Sequence, residues 1–172
     1  MNIETDTTPE AILARALWDS ALDELLQETK WEFAKKSVIL ARDSIPVVDT
    51  TYKYPYQLPS DYIKMARVNG FYVIKGTHLY SNAESVILEY ISRITDATKY
   101  PTFFTSALEA LLSLKMYMPL GKRAARSVNW ESRYLFALDT AKLLNAQESN
   151  KTIEQRGGHT IKNDTWLKAA RV

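Results

Sequence analysis

The amino-acid sequence predicts an α+β, mainly α protein: a long-helix bundle with a small antiparallel β-meander inserted between helix 1 and helix 2, followed by an extended C-terminal arm. Three observations predict it. Apolar residues recur every three or four positions over about 9–28, 101–118 and 122–147, the spacing that gathers them on one helix face. Between the first two stretches, at about 36–94, short β-branched and aromatic runs are separated by Asn69-Gly70 and Lys75-Gly76. Residues 149–172 are polar and contain glycine, a composition that lacks the apolar surface for a core of its own. The organisation is one domain over 1–148 and an arm over 149–172.

Thr8-Pro9-Glu10 is a helix start: threonine as N-cap, proline at the first helical position, glutamate at the positive end of the dipole. Ile12/Leu13, Ala16/Leu17, Ala21/Leu22 and Leu25/Leu26 carry the helix on to residue 28. After Trp31-Glu32-Phe33-Ala34, the run Val38–Ala41 predicts a strand, and Tyr52–Pro59 an extended crossing segment without regular structure. Ile63–Val68 and Phe71–Ile74 flank Asn69-Gly70, which predicts a hairpin turn with positive φ at both positions. Lys75-Gly76 predicts a second tight turn into His78–Tyr80, and Val86–Ile94 is the longest strand candidate. Helix 2 opens at Pro101 and presents Phe104, Leu108, Leu111/Leu112 and Met118; Pro119-Leu120-Gly121 breaks it. Helix 3 follows, with Val128, Tyr134/Leu135, Leu138, Ala141 and Leu144 as its apolar stripe.

A chain of 172 residues, 46% hydrophobic, is long enough to bury a core. Without cysteine, a disulfide framework and thiolate metal sites are excluded, which suits assembly in a cytoplasmic compartment. The acidic, polar start MNIETDTTPE and the lack of an 18-residue apolar run predict neither a signal peptide nor a membrane span. The net charge of +2 hides a polarity: residues 1–28 carry seven acids against Arg15, whereas residues 149–172 carry five basic and two acidic residues. That total is too small for a nucleic-acid-binding domain. The polarity suits complementary contacts between neighbouring chains.

Catalysis lacks its parts. A nucleophile would be a serine paired with a histidine base, and the only histidines are His78 and His159. His78 reads as an exposed strand residue, and His159 lies in the polar arm. Asp19 and Asp23 stand four residues apart on helix 1, but a polar helix face favours a solvated or inter-subunit role over acid–base work. No phosphate-cradling glycine loop or HExxH-type motif is present. The expectation is a non-enzyme without cofactor or metal. The ten Tyr, five Phe and four Trp fall mostly on apolar stripes and read as core or interface residues rather than base-stacking platforms.

One family pattern runs through the chain in order. Helix 1 ends in Trp31-Glu32-Phe33-Ala34; Leu58-Pro59-Ser60-Asp61 precedes Val68-Asn69-Gly70; Tyr80-Ser81-Asn82-Ala83 precedes Leu88-Glu89-Tyr90-Ile91; Ile94-Thr95-Asp96 leads into an alanine–leucine helix; Asp164-Thr165-Trp166-Leu167 stands near the end with Arg171. In this order and spacing the chain resembles the head-to-tail adaptors of tailed bacteriophages, the connector, tail tubular protein A or gatekeeper family.

The resemblance implies a structural virion protein, assembled in the host cytoplasm, that forms a twelve-fold ring beneath the phage portal. It would join the capsid to the tail nozzle or tail proteins and let genomic DNA pass without sequence-specific contact or any membrane. Three sets of residues are candidates. Trp166 and Leu167, flanked by Lys162, Lys168 and Arg171, have the composition of a docking peptide with an aromatic anchor, directed at the portal. Asp19, Asp23 and Glu24 would meet Lys122, Arg123 and Arg126 of a neighbouring subunit, basic residues set against the dipole at the start of helix 3. Asn69, Gly70, Lys75 and Gly76 are hairpin tips facing the tail. The alternatives are a head-completion protein of a long-tailed phage and, in another class, a small nucleic-acid-binding module.

Overall fold

The computed structural model describes residues 7–44, 51–117, 119 and 129–156. Helix α1 spans Pro9–Glu28, and its start is the one local chemistry dictates: Thr8, extended at φ −64° and ψ 148°, accepts a hydrogen bond from Ala11 N at 3.4 Å, and Pro9 follows. The chain leaves α1 extended at Thr29, buries Trp31 and makes a 3₁₀ turn over Glu32–Ala34. Six strands follow: β1 (Lys35–Ile39), β2 (Tyr54–Gln57), β3 (Tyr62–Val68), β4 (Tyr72–Lys75), β5 (His78–Ser81) and β6 (Ile87–Ser92). A 3₁₀ turn over Ala97–Lys99 leads to α2 (Thr102–Tyr117), and α3 covers Trp130–Arg156.

The expected bundle with one small meander is not what forms. The strands build two three-stranded antiparallel sheets, one ordered β1-β6-β3 and the other β2-β5-β4. Only β4 and β5 are a hairpin between consecutive strands. The Asn69-Gly70 expectation fails for a visible reason. A type I′ turn needs positive φ at both positions, but only Gly70 has it, at 85°. The Asn69 side chain instead bonds along the start of β6, where Oδ1 accepts Ile87 N at 2.7 Å and Nδ2 donates to Ser85 O at 3.2 Å. The chain is held to β6 as it leaves β3 and crosses at Gly70 into the second sheet. The Lys75-Gly76 expectation holds: Lys75 pairs with His78 across Gly76-Thr77, with positive φ (60°) at Gly76 alone, as a type II′ turn requires.

The segment Tyr52–Pro59, predicted without regular structure, contains β2. Its Pro55 is tolerated because β2 is the edge strand of its sheet and the side of Pro55 turned away from β5 meets only an isolated bridge, Arg42 to Tyr56, where the Pro55 carbonyl accepts Asp43 N at 2.9 Å. The sheets pack face to face. Leu88, Tyr90, Val38, Met65 and Val68 from one meet Tyr56, Leu79 and Tyr54 from the other, with Leu40, Leu58 and Val86 filling the gap.

The second core is helical. α2 packs against both α1 and α3. Leu22, Leu25 and Leu26 of α1, Phe104, Leu108 and Leu111 of α2, and Tyr134, Leu138 and Ala141 of α3 bury one another. Trp31 stands at the centre: its ring lies 5.1 Å from Phe104 and 6.3 Å from Phe103, and its Nε1 donates to Leu25 O at 2.7 Å. Ile91 of β6 belongs to this cluster, and so the two cores meet along one strand.

α3 departs from expectation in three ways. It begins at Trp130 rather than at about 122, with Asn129 Oδ1 accepting Ser132 N at 3.0 Å at its start; it continues to Arg156, through residues 149–156 expected in the arm; and its buried stripe is Tyr134, Leu138, Ala141 and Asn145 while Leu135 and Leu144 face outward. Asn145 sets that rotation. Its Oδ1 accepts Glu32 N at 2.8 Å and its Nδ2 donates to Lys30 O at 3.1 Å, tying α3 to the turn after α1. Replacing Asn145 with Ala leaves a largely buried amide and carbonyl unpaired, and is expected to cost about 1–3 kcal/mol in urea unfolding. Asp139→Asn on the exposed face of the same helix should stay within about 0.5 kcal/mol. Equal effects at the two sites would show that the Asn145 bridge does not hold α3 in register.

Candidate functional site

The acidic side chains of α1 are occupied within the chain. Asp19 and Asp23 lie one turn apart on one helix face and both accept from Arg93, just after β6: Nη2 to Asp19 at 2.9 Å and Nε to Asp23 at 2.6 Å. The Asp23 hydrogen bond, reinforced by both carboxylates, raises the guanidinium pKa further. Glu24 meets Lys115 of α2 at 2.6 Å, and Glu28 meets Lys142 of α3 at 2.9 Å. Asp19, Asp23 and Glu24, predicted to reach a neighbouring subunit, thus clamp α1 to the residue after β6 and to α2, and Glu28 adds a clamp to α3. Lys122, Arg123 and Arg126, its predicted counterparts, lie outside the described residues, as do Lys162, Trp166, Leu167, Lys168 and Arg171 of the predicted docking arm.

Asp61, in the LPSD stretch, is a joint between strands. Its Oδ1 accepts the Tyr90 hydroxyl at 2.9 Å, its Oδ2 meets Lys36 Nζ at 2.6 Å, and its carbonyl accepts Arg93 N at 2.7 Å. Burial alone would raise the Asp61 carboxyl, but the hydrogen bonds from Lys36 and Tyr90 outweigh it and hold the group below its ordinary value. Burial, with the Asp61 carboxylate behind it, pushes the Tyr90 hydroxyl up to about 12. His78, expected to be exposed, is half-buried against Asp43 at 3.0 Å. That hydrogen bond, with one from Ser44 N, lowers the Asp43 carboxyl.

A cleft of about 360 Å³ lies beside Arg93, with Lys35, Lys36 and Lys99 in its wall. Each of these cations has a carboxylate partner: Glu32 for Lys35, Asp61 for Lys36, Asp19 and Asp23 for Arg93, Asp96 for Lys99. With four cations facing five carboxylates, the cleft has no net positive charge to draw a phosphate. Among the described residues no group of three or more His, Cys, Asp or Glu could hold a metal ion, and no helix is long and apolar enough to cross a membrane.

Asn69, Gly70, Lys75 and Gly76 are all exposed, but Asn69-Gly70 is a crossover between sheets and only Gly76 belongs to a hairpin tip. Phe71, 89% exposed beside the crossover, continues into exposed Tyr72 and Ile74 on the edge strand β4. Ile39 and Ile87 are register partners, both exposed at the end of the first sheet next to Asn69. A second apolar surface runs along α3 through Phe136, 76% exposed, and Leu143, 68% exposed. Sequence periodicity missed both surfaces, because an apolar residue in a regular pattern reads as core. Phe71 directly after Asn69-Gly70 was the available signal: a large aromatic beside a crossing has no strand neighbour to cover it.

No protein-family model matches the chain, and no curated protein matches it significantly.

The Asp61–Tyr90 joint makes stability depend on pH at both ends. Asp61, lowered in the folded state, contributes stability that is complete above about pH 4 and is lost as pH falls through the depressed value. Tyr90 contributes stability that is complete below about pH 10 and is lost as pH rises toward its raised value. Asp61→Asn should flatten the acid limb of a stability-versus-pH curve measured by urea unfolding. Tyr90→Phe should flatten part of the alkaline limb, with Tyr134, also pushed up to about 12 by burial, retaining its share. An acid limb unchanged in Asp61→Asn would exclude this carboxylate as a source of acid sensitivity.

Proposed function

We propose that this chain is a structural head-to-tail adaptor of a tailed bacteriophage, a virion subunit that assembles with its own copies into a ring between portal and tail and leaves a channel for DNA. The observation that carries this reading is the order of the resemblance stretches together with what their polar residues do. Asp61 links β1 to β6, Asn69 ties β3 to the start of β6, and Tyr90 closes on Asp61. Ser81 Oγ accepts Ala83 N at 3.2 Å and donates to Phe71 O at 2.8 Å, while Asn82 bonds Lys53 N at 2.9 Å and Thr51 O at 3.0 Å. These residues are the joints of one two-sheet unit, which gives a physical reason for those residue types at that spacing.

The exposed apolar side chains support an assembling subunit. Scattered single ones are ordinary, but Phe71, Tyr72 and Ile74 follow one another along β4, and Ile39 and Ile87 stand side by side. Intrachain pairing of the α1 acids moves the expected lateral contacts away from charge complementarity and toward these surfaces. The adaptor's work is mechanical, and the portal would be engaged by the arm that carries Trp166-Leu167 with Lys162, Lys168 and Arg171.

Native mass spectrometry or light scattering of the purified chain, alone and mixed with portal, tests the reading. Ring-on-ring complexes should form with portal. Deletion of residues 162–172 should leave a folded chain, with unchanged circular dichroism, that no longer joins portal. A mass indifferent to portal but shifted by double-stranded DNA would overturn the adaptor reading. A truncated chain that still assembles would remove the arm from the mechanism.

A further inference from the structure

α2 and α3 run antiparallel. Tyr117 at the end of α2 lies 6.4 Å from Trp130 at the start of α3, and the first turns of α2 lie beside the middle of α3. There the helices leave a cleft of about 410 Å³, within the range of pockets that hold a small ligand or a few side chains. Its walls are Phe103, Phe136, Ala137, Ala141 and Leu144. Two of the hydroxyls beside it donate within their own helices: Ser106 Oγ to Thr102 O at 3.0 Å and Thr140 Oγ1 to Phe136 O at 2.8 Å. What the cleft offers is therefore mainly apolar contact, with the exposed ring of Phe136 in its wall. Such a surface suits a large apolar side chain.

The chain carries a candidate within reach. Trp166-Leu167 is the only adjacent pair of large apolar residues in 157–172. α3 rises about 18 Å from Leu144 to Arg156. The ten residues from Gly157 to Trp166 span at most about 33–36 Å when extended, enough to return along α3 with slack for a reversal. Gly157-Gly158, directly after the helix, is the sequence best suited to such a reversal. A tether this short gives an effective concentration on the order of millimolar, so at micromolar protein the chain's own segment outcompetes a second copy's.

We propose that the α2–α3 cleft is the seat of Trp166-Leu167 of the same chain in the free subunit. The occupied cleft shields the anchor before assembly, and a partner that binds the C-terminal segment more tightly frees it. The seating stands on the cleft and the tether. Release to portal as its use rests on the adaptor reading above.

The chain has no cysteine, so Ser106→Cys accepts a single bimane label at the cleft in the full-length protein. Tryptophan quenches bimane on contact, and the other three tryptophans are a constant background. Bimane emission should be quenched with Trp166 present, restored in Trp166→Phe, restored in Phe136→Asp, and independent of protein concentration. Equal emission with Trp166 and with Trp166→Phe overturns the proposal. Quenching that persists in Phe136→Asp overturns this cleft as the seat. Quenching that grows with concentration assigns the cleft to a second copy and overturns the same-chain form. Added portal should restore emission. Quenching that portal leaves unchanged overturns release as its use, whereas a chain that binds portal without ever showing quenching leaves the adaptor reading standing.

Discussion

At the end of α1, Trp31 meets three demands at once. The last turn of a helix leaves carbonyls without partners, and Trp31 Nε1 takes one of them, Leu25 O, at 2.7 Å. Its ring is fully buried against Phe103 and Phe104, so the start of α2 must lie across the end of α1. Its position fixes where the chain emerges, and the turn at 30–32 is then near enough for Asn145 of α3 to bond both Lys30 O and Glu32 N. Remove the indole and all three helices lose a shared reference point.

The first sheet is attached to that reference by polar contacts as well as by Ile91 and Ile63 in the helical core. Lys64 of β3 donates to Gln27 O in the last turn of α1 at 2.9 Å, and Lys30 donates to Ala66 O at 2.8 Å. Ser92 Oγ donates to Ala34 O at 3.0 Å in a buried position, and Arg93 reaches back to Asp19 and Asp23. β6 carries this connection because it contributes Ile91 to the helical core and Leu88 and Tyr90 to the sheet core. Exposed ion pairs contribute little each, about 0–1 kcal/mol. The buried Ser92–Ala34 hydrogen bond weighs more, because breaking it strands a desolvated partner. A subunit proposed to carry load between a head and a tail gains from such joints, since they fix the angle between its two halves.

Much was legible where one stretch of chain decides its own conformation. Thr8-Pro9 starts α1, Gly76 with φ of 60° turns β4 into β5, and the apolar rows Leu22/Leu25/Leu26 and Phe104/Leu108/Leu111 lie in the core as their spacing requires. The candidate site was less legible. The acids of α1 were visible as a stripe, but their partner Arg93 is some seventy residues away and Lys115 and Lys142 further still, so charge counting pointed outward where the fold points inward. In α3 the polar Asn145 is buried beside an apolar pattern that points to Leu144.

What the sequence by itself determined were the starts of α1 and α2, the Gly76 turn and the placing of the strands between them, because capping, positive φ and side-chain period act over a few neighbouring residues. Only the tertiary structure decided which strands pair. Asn69-Gly70 has every local mark of a hairpin, yet the Asn69 amide finds an N–H and a carbonyl at Ile87 and Ser85, and the chain crosses to a second sheet. Strand pairing and helix rotation depend on partners far away in sequence, and a local turn preference yields when backbone groups elsewhere engage those same atoms.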